Sequence, residues 1–76
     1  MNVNQKQEIE YGDWVYVNDD IECAYKVMRT HQTTEGLKAE ILSNNGVRLL
    51  ELISDLQLIT NVEKIHELET EFEMGS

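Results

Sequence analysis

Cys23, His31 and His66 are the only thiol and imidazole groups in the chain, so any metal or nucleophilic chemistry must begin with them. Zinc sites usually draw four ligands from close pairs, and these three residues form no such pair. No metal is expected. Cys23 and His31 fall in one predicted strand with even separation. They would share a face but stand about 26 Å apart if extended, far beyond hydrogen-bond reach. Nothing in the sequence signals an oxyanion hole. Gly12, Gly36, Gly46 and Gly75 are isolated, so there is neither a phosphate-cradling loop nor a dinucleotide fingerprint, and no cofactor is expected. Asp19, Asp20 and Glu22 lack the calcium-loop pattern and read as a solvated acidic turn.

Two sets of side chains are better suited to binding than to catalysis. Tyr11, Trp14 and Tyr16 lie close together in the sequence and are candidates for contact with a partner. Aromatics also dominate the cores of small domains, and the core is the stronger expectation for this group. Val62, Ile65, Leu68 and Phe72 recur every three or four residues, an apolar stripe on a helix. A helix this short needs something to pack on, either its own domain or a second chain. The candidate partner-binding residues are thus Tyr11, Trp14, Tyr16, Ile65, Leu68 and Phe72.

The elements that must carry these residues read as mainly β with a terminal helix. Residues 1–8 are polar and expected to be loose. Trp14-Val15-Tyr16-Val17 is a short strand between Gly12-Asp13 and Asn18-Asp19-Asp20. Residues 22–34 alternate well enough to read as a second strand, with Thr33-Thr34-Glu35-Gly36 as a turn. Leu37, Ala39 and Ile41 alternate with Lys38 and Glu40. Asn45-Gly46 then signals a hairpin returning through residues 47–52. A two-residue loop would set Glu40 opposite Glu51. A four-residue loop pairs Lys38 with Glu51 and Leu37 with Leu52, and is preferred on charge. Either register places Ala39 and Ile41 on the face of Leu50 and Leu52. Ser54-Asp55 reads as a 3₁₀-like turn before a last strand around Leu56 and Leu58. Thr60 and Glu63 have capping-box spacing for the helix over residues 60–74.

The sequence has 76 residues, enough for one domain and too few for a deep substrate cavity, which argues against an enzyme. Hydrophobic residues at 41% and charged residues at 28% fit a folded chain. Fifteen acidic residues against six basic give a net charge of −9. Such a surface disfavours direct nucleic-acid binding and steers the chain toward a basic partner protein. A single cysteine precludes an intrachain disulfide, and no leader or membrane span is visible, so a cytoplasmic setting is expected.

The Gly-Asp-Trp-Val-Tyr-Val opening at residues 12–17, the hairpin over 37–52 and the Ile-Ser-Asp-Leu-Gln-Leu-Ile segment at 53–59 resemble SH3-like small barrels. The resemblance covers residues 9–59. It implies a barrel of about five strands and a peptide-receiving aromatic groove. The second strand lacks the glycine that KOW-type members carry near their central turn, which sets the chain apart from the ribosomal and transcription-factor members. Its size and acidity are similar in style to small bacteriophage and mobile-element proteins. The expected function is a non-catalytic interaction or regulatory module. The alternatives are a self-associating structural or assembly protein, dimerising through the C-terminal helix, or an acidic DNA-mimic inhibitor of a nucleic-acid enzyme.

Overall fold

The computed structural model describes residues 9–74. The expected loose segment over residues 1–8 lies outside them. The chain runs β1 (Trp14–Val17), β2 (Asp20–Thr33), β3 (Gly36–Ser43), β4 (Arg48–Leu52), a 3₁₀ turn (Ile53–Asp55), β5 (Leu56–Leu58) and α1 (Val62–Met74). All five strands form one antiparallel sheet in the order β4-β3-β2-β1-β5. The mainly β class with a C-terminal helix is therefore present.

The expected closed barrel is not. β4 and β5 are the two edges of the sheet and do not pair. β5 has only three residues, and all three are taken by β1 in the pairs Val15↔Leu58, Tyr16↔Gln57 and Val17↔Leu56.

Alternation along β1 explains the two cores. Adjacent residues of a strand point to opposite faces. Trp14 is 1% exposed and Val15 0%, so both faces of β1 are covered. On one face Val15 packs with Val27, Ala39 and Ile41, flanked by Val17, Tyr25, Leu49 and Leu56. On the other, Trp14 packs with Ile59 and Leu68, flanked by Tyr16, Ala24, Ile65 and Phe72. The helix thus covers the β1–β2 face that the rest of the sheet leaves open.

β2 is longer than its apolar pattern suggests, and it is interrupted twice. One irregularity lies between Val27 and Arg29, where Met28 has no cross-strand partner on β3. The extra residue reverses the alternation. Tyr25 and Val27 pack toward the first core, while Arg29 and His31 meet Glu40 at 3.4 and 4.0 Å. Cys23 and His31 therefore do not share a face as their even spacing implied. The second irregularity is larger: Val17 pairs with Asp20 but Tyr16 pairs with Ala24, which leaves residues 21–23 bulged out of the β1 ladder.

The β3–β4 hairpin takes neither expected register. Lys38 pairs with Leu52, Ala39 with Glu51 and Ile41 with Leu49. The loop is the three residues Asn44-Asn45-Gly46, with Gly46 at a positive φ of 89° that favours glycine. A one-residue slip moves every side chain to the other face. Leu49, not Leu50, consequently joins the core with Ala39 and Ile41, and Leu50 is 51% exposed. Ser43 holds this turn. Its hydroxyl accepts from the amides of Asn45 and Val47 at 3.2 and 3.1 Å, and its carbonyl accepts from Gly46 at 3.0 Å.

The helix starts one residue later than the expected Thr60–Glu63 box. The Lys64 amide donates to Asn61 Oδ1 at 3.0 Å, so Asn61 is the N-cap. No helix of the described residues is long and apolar enough to cross a membrane.

Candidate functional site

The six expected partner-binding residues do not form one surface. Tyr11 lies in the turn before β1 and is 69% exposed. Trp14 is buried under α1, its ring edge-on to Phe72 with centroids 5.7 Å apart. Its indole N–H donates to Glu69 Oε2 at 3.4 Å, a long and weak bond. Tyr16 is half-buried beside that cluster. Trp14 thus takes the core place that was the stronger expectation for it, and α1 occupies the face on which an aromatic groove of Tyr11, Trp14 and Tyr16 would have opened.

Ile65, Leu68 and Phe72 supply the helix side of the same cluster. The Lys26 ammonium sits over the Phe72 ring at 5.1 Å, a cation–π contact worth about 0.5–1 kcal/mol where exposed. The stripe that could have joined two copies is thus spent on the chain's own sheet. Only Val62, at its N-terminal end, is left outside, 77% exposed.

The histidines and the cysteine are dispersed. Cys23 is exposed on the β2 bulge, His31 faces Glu40, and His66 is exposed on α1. Among the described residues no three His, Cys, Asp or Glu side chains are grouped to hold a metal ion.

A groove of about 190 Å³ opens elsewhere, where three separate parts of the chain meet. The β2 bulge contributes Ile21, Glu22 and Cys23, with Ala24 and Tyr25 beyond them. The β3–β4 turn contributes Ser43, Asn44, Asn45 and Val47, and α1 contributes Lys64, Leu68 and Glu71. Tyr16 completes the lining from β1. The Asn44 side-chain amide donates to Glu71 Oε1 at 3.1 Å and ties the turn to the helix.

The groove has an apolar component and an acidic one. Ile21 is 64% exposed and Val47 48%, and both line the groove. Glu22 and Glu71 outweigh Lys64 in charge. Burial raises the Tyr25 hydroxyl pKa above its ordinary value, with Cys23, Asp20 and Glu51 adding to the effect. The phenol thus stays neutral and can donate or accept a hydrogen bond. Away from the groove, the Lys38 ammonium, 2.9 Å from Glu35, lowers that carboxyl's pKa first by hydrogen bonding and then by its charge.

Sequence reasoning found Tyr16 and Leu68 but missed the rest of this lining. The available signal was Ile21, an aliphatic residue set directly after Asn18-Asp19-Asp20 where a solvated turn has no use for one. No protein-family model, curated protein or solved structure matches the chain.

Proposed function

We propose that the chain is a protein-interaction module of SH3-like kind, and that the groove between the β2 bulge, the β3–β4 turn and α1 takes an extended, basic segment of a partner protein. The observation that carries this reading is Ile21. It stands 64% exposed in a groove whose lining also includes Tyr16, Glu22 and Glu71. An aliphatic anchor with acidic neighbours suits a partner that brings apolar area and positive charge together. The net charge of −9 acts in the same direction, drawing in basic partners and repelling both nucleic acid and a second copy. The strand order, with a 3₁₀ turn ahead of β5, supports the SH3-like resemblance.

The alternatives have less behind them. Dimerisation through Ile65, Leu68 and Phe72 would require α1 to leave Trp14. A phosphate-mimicking helix has less support, since two of its carboxylates, on Glu69 and Glu71, are turned toward the chain's own Trp14 and Asn44.

The reading is tested by fluorescence anisotropy with a labelled peptide, Val-Lys-Val-Lys-Val-Lys, against its Val-Glu counterpart. The basic peptide binds and weakens with added salt; the acidic one does not bind. Ile21→Ser lowers affinity by about tenfold or more, since burying an aliphatic side chain is worth roughly 1.5–3 kcal/mol. Equal binding of both peptides, or an unaffected Ile21→Ser variant, would refute the reading.

A further inference from the structure

We infer that the groove reads a partner segment of mixed charge, with a basic residue at the Glu71 end of α1, a carboxylate at the Lys64 end and apolar side chains between them. This rests on the groove being the binding site and specifies what fills it. Lys64, Leu68 and Glu71 all belong to the lining. They stand four and three residues apart on α1 and so share one face of the helix. Along the groove they follow in the order cation, leucine, carboxylate. Seven residues of helix separate the two charges, about 10.5 Å along the axis.

Leu68 is buried with Trp14 and Ile59, which fixes the middle of this row. Glu71 Oε1 accepts the Asn44 amide at 3.1 Å. Asn44 thus positions the carboxylate, which has room for further donors. Lys64 is half-buried in the first turn and is the only lysine or arginine of α1. The lysine and arginine ion pairs among the described residues are Arg29–Glu40 and Lys38–Glu35, whose members lie outside the lining. The helix dipole runs the same way as the side chains, positive at the Lys64 end and negative at the Glu71 end.

Charge and spacing define the occupant. A uniformly basic segment would set one of its cations against Lys64. Exchanging that residue for a carboxylate turns the repulsion into an attraction. On one face of an extended segment, residues two and four apart stand about 7 and 13 Å apart, which brackets the separation on α1. The rest of the segment meets Glu22, Glu71 and the overall charge of −9, and is best basic. The occupant is therefore a segment of a partner protein, basic over most of its length, with one acidic residue at an end. Nucleic acid offers no cation to Glu71, and a second copy brings a further −9, so neither fits.

A charge-exchange cycle tests the polarity separately from the binding. Val-Lys-Val-Lys-Val-Lys is compared with Val-Lys-Val-Lys-Val-Glu and Val-Glu-Val-Lys-Val-Lys, which cover both chain directions in the groove. All three are labelled at the N-terminus and amidated at the C-terminus. Each is titrated by fluorescence anisotropy against the wild-type chain, Lys64→Glu and Arg29→Glu. Arg29→Glu makes the same change of net charge outside the groove. For at least one of the glutamate peptides, Lys64→Glu shifts the affinity ratio toward the all-lysine peptide by about fivefold or more. The cycle combines four pairwise terms, each the size of an exposed ion pair. Arg29→Glu shifts that ratio by less than about twofold, since distant charges are screened. Glu71→Gln weakens all three peptides by about twofold or more. A glutamate at position 64 suits the N-terminal end of a helix, so that variant stays folded. If the peptides bind and protect Cys23 from alkylation, but Lys64→Glu and Arg29→Glu shift the ratio equally, the polarity is overturned and the groove reading stands. A Glu71→Gln variant that binds as the wild type does overturns it as well. If no peptide binds, or binding leaves Cys23 fully reactive, both fall.

Discussion

Trp14→Ala is expected to lower the free energy of unfolding by about 3–5 kcal/mol. Trp14 is 1% exposed and holds the second core, with Ile59, Leu68 and Phe72 packed around it. Removing the indole leaves a cavity between β1 and α1 that neither element can close, because β1 is fixed by β2 on one side and β5 on the other. A domain of this size has roughly 4–11 kcal/mol in total. The variant should therefore lie near its unfolding midpoint at room temperature or unfold at lower urea, as read by circular dichroism. Tyr11→Ala is the control. Tyr11 is 69% exposed, and its loss should change stability by no more than about 0.5 kcal/mol. Had Tyr11, Trp14 and Tyr16 formed an open aromatic groove, the two substitutions would cost similar small amounts. Comparable midpoints for both variants would contradict the buried placement of Trp14.

The second large effect tests the hairpin register. Ile41→Ala is expected to cost about 2–5 kcal/mol, because Ile41 is fully buried against Val15, Val27 and Ala39. Leu50→Ala, on the opposite face of β4 and 51% exposed, should cost under about 1 kcal/mol. In either register expected from the sequence, Leu50 would share the buried face with Ile41, and both substitutions would be severe. Urea titrations of the two variants decide between them. A Leu50→Ala variant as destabilised as Ile41→Ala would mean that the hairpin is shifted by one residue.

That register shows where legibility stops. The hairpin was readable from Asn45-Gly46, and its first arm from Leu37, Ala39 and Ile41. Its second arm was not, because Leu49, Leu50 and Leu52 offer an apolar residue at either phase. The structure chooses through Ser43, whose hydroxyl satisfies two turn amides and sets a three-residue loop. Charge pairing of Lys38 with Glu51, the basis for the four-residue loop, is a weak force by comparison. The 3₁₀ turn at Ser54-Asp55 and the helix were visible because their signals are local. The barrel was implied by the SH3-like resemblance, but closure depends on whether the two edge strands pair, and β4 and β5 do not.

The candidate site was mostly hidden for a related reason. Its residues come from β2, the β3–β4 turn and α1, and no short window of sequence contains them together. The β2 bulge that exposes Ile21 depends on a register jump between Tyr16 and Val17, which leaves no mark in composition. The aromatic residues drew attention to Trp14 instead, yet the apolar stripe on α1 is what buries it. Each half of that contact was read separately, the tryptophan as core or groove and the stripe as packing on its own domain or on a second chain. Joining them required the topology.

Cys23 offers the most direct measurement of whether the groove is the binding site. It is the single cysteine of the chain, it is exposed, and it lines the groove beside Ile21. Its rate of alkylation by iodoacetamide is followed in the native chain with and without Val-Lys-Val-Lys-Val-Lys. With free peptide at about ten times the dissociation constant, the rate should fall about tenfold, in proportion to the unoccupied fraction. The Val-Glu peptide at the same concentration should leave it unchanged. A Cys23 that reacts at its free rate while the basic peptide is bound would place the binding somewhere else on the molecule.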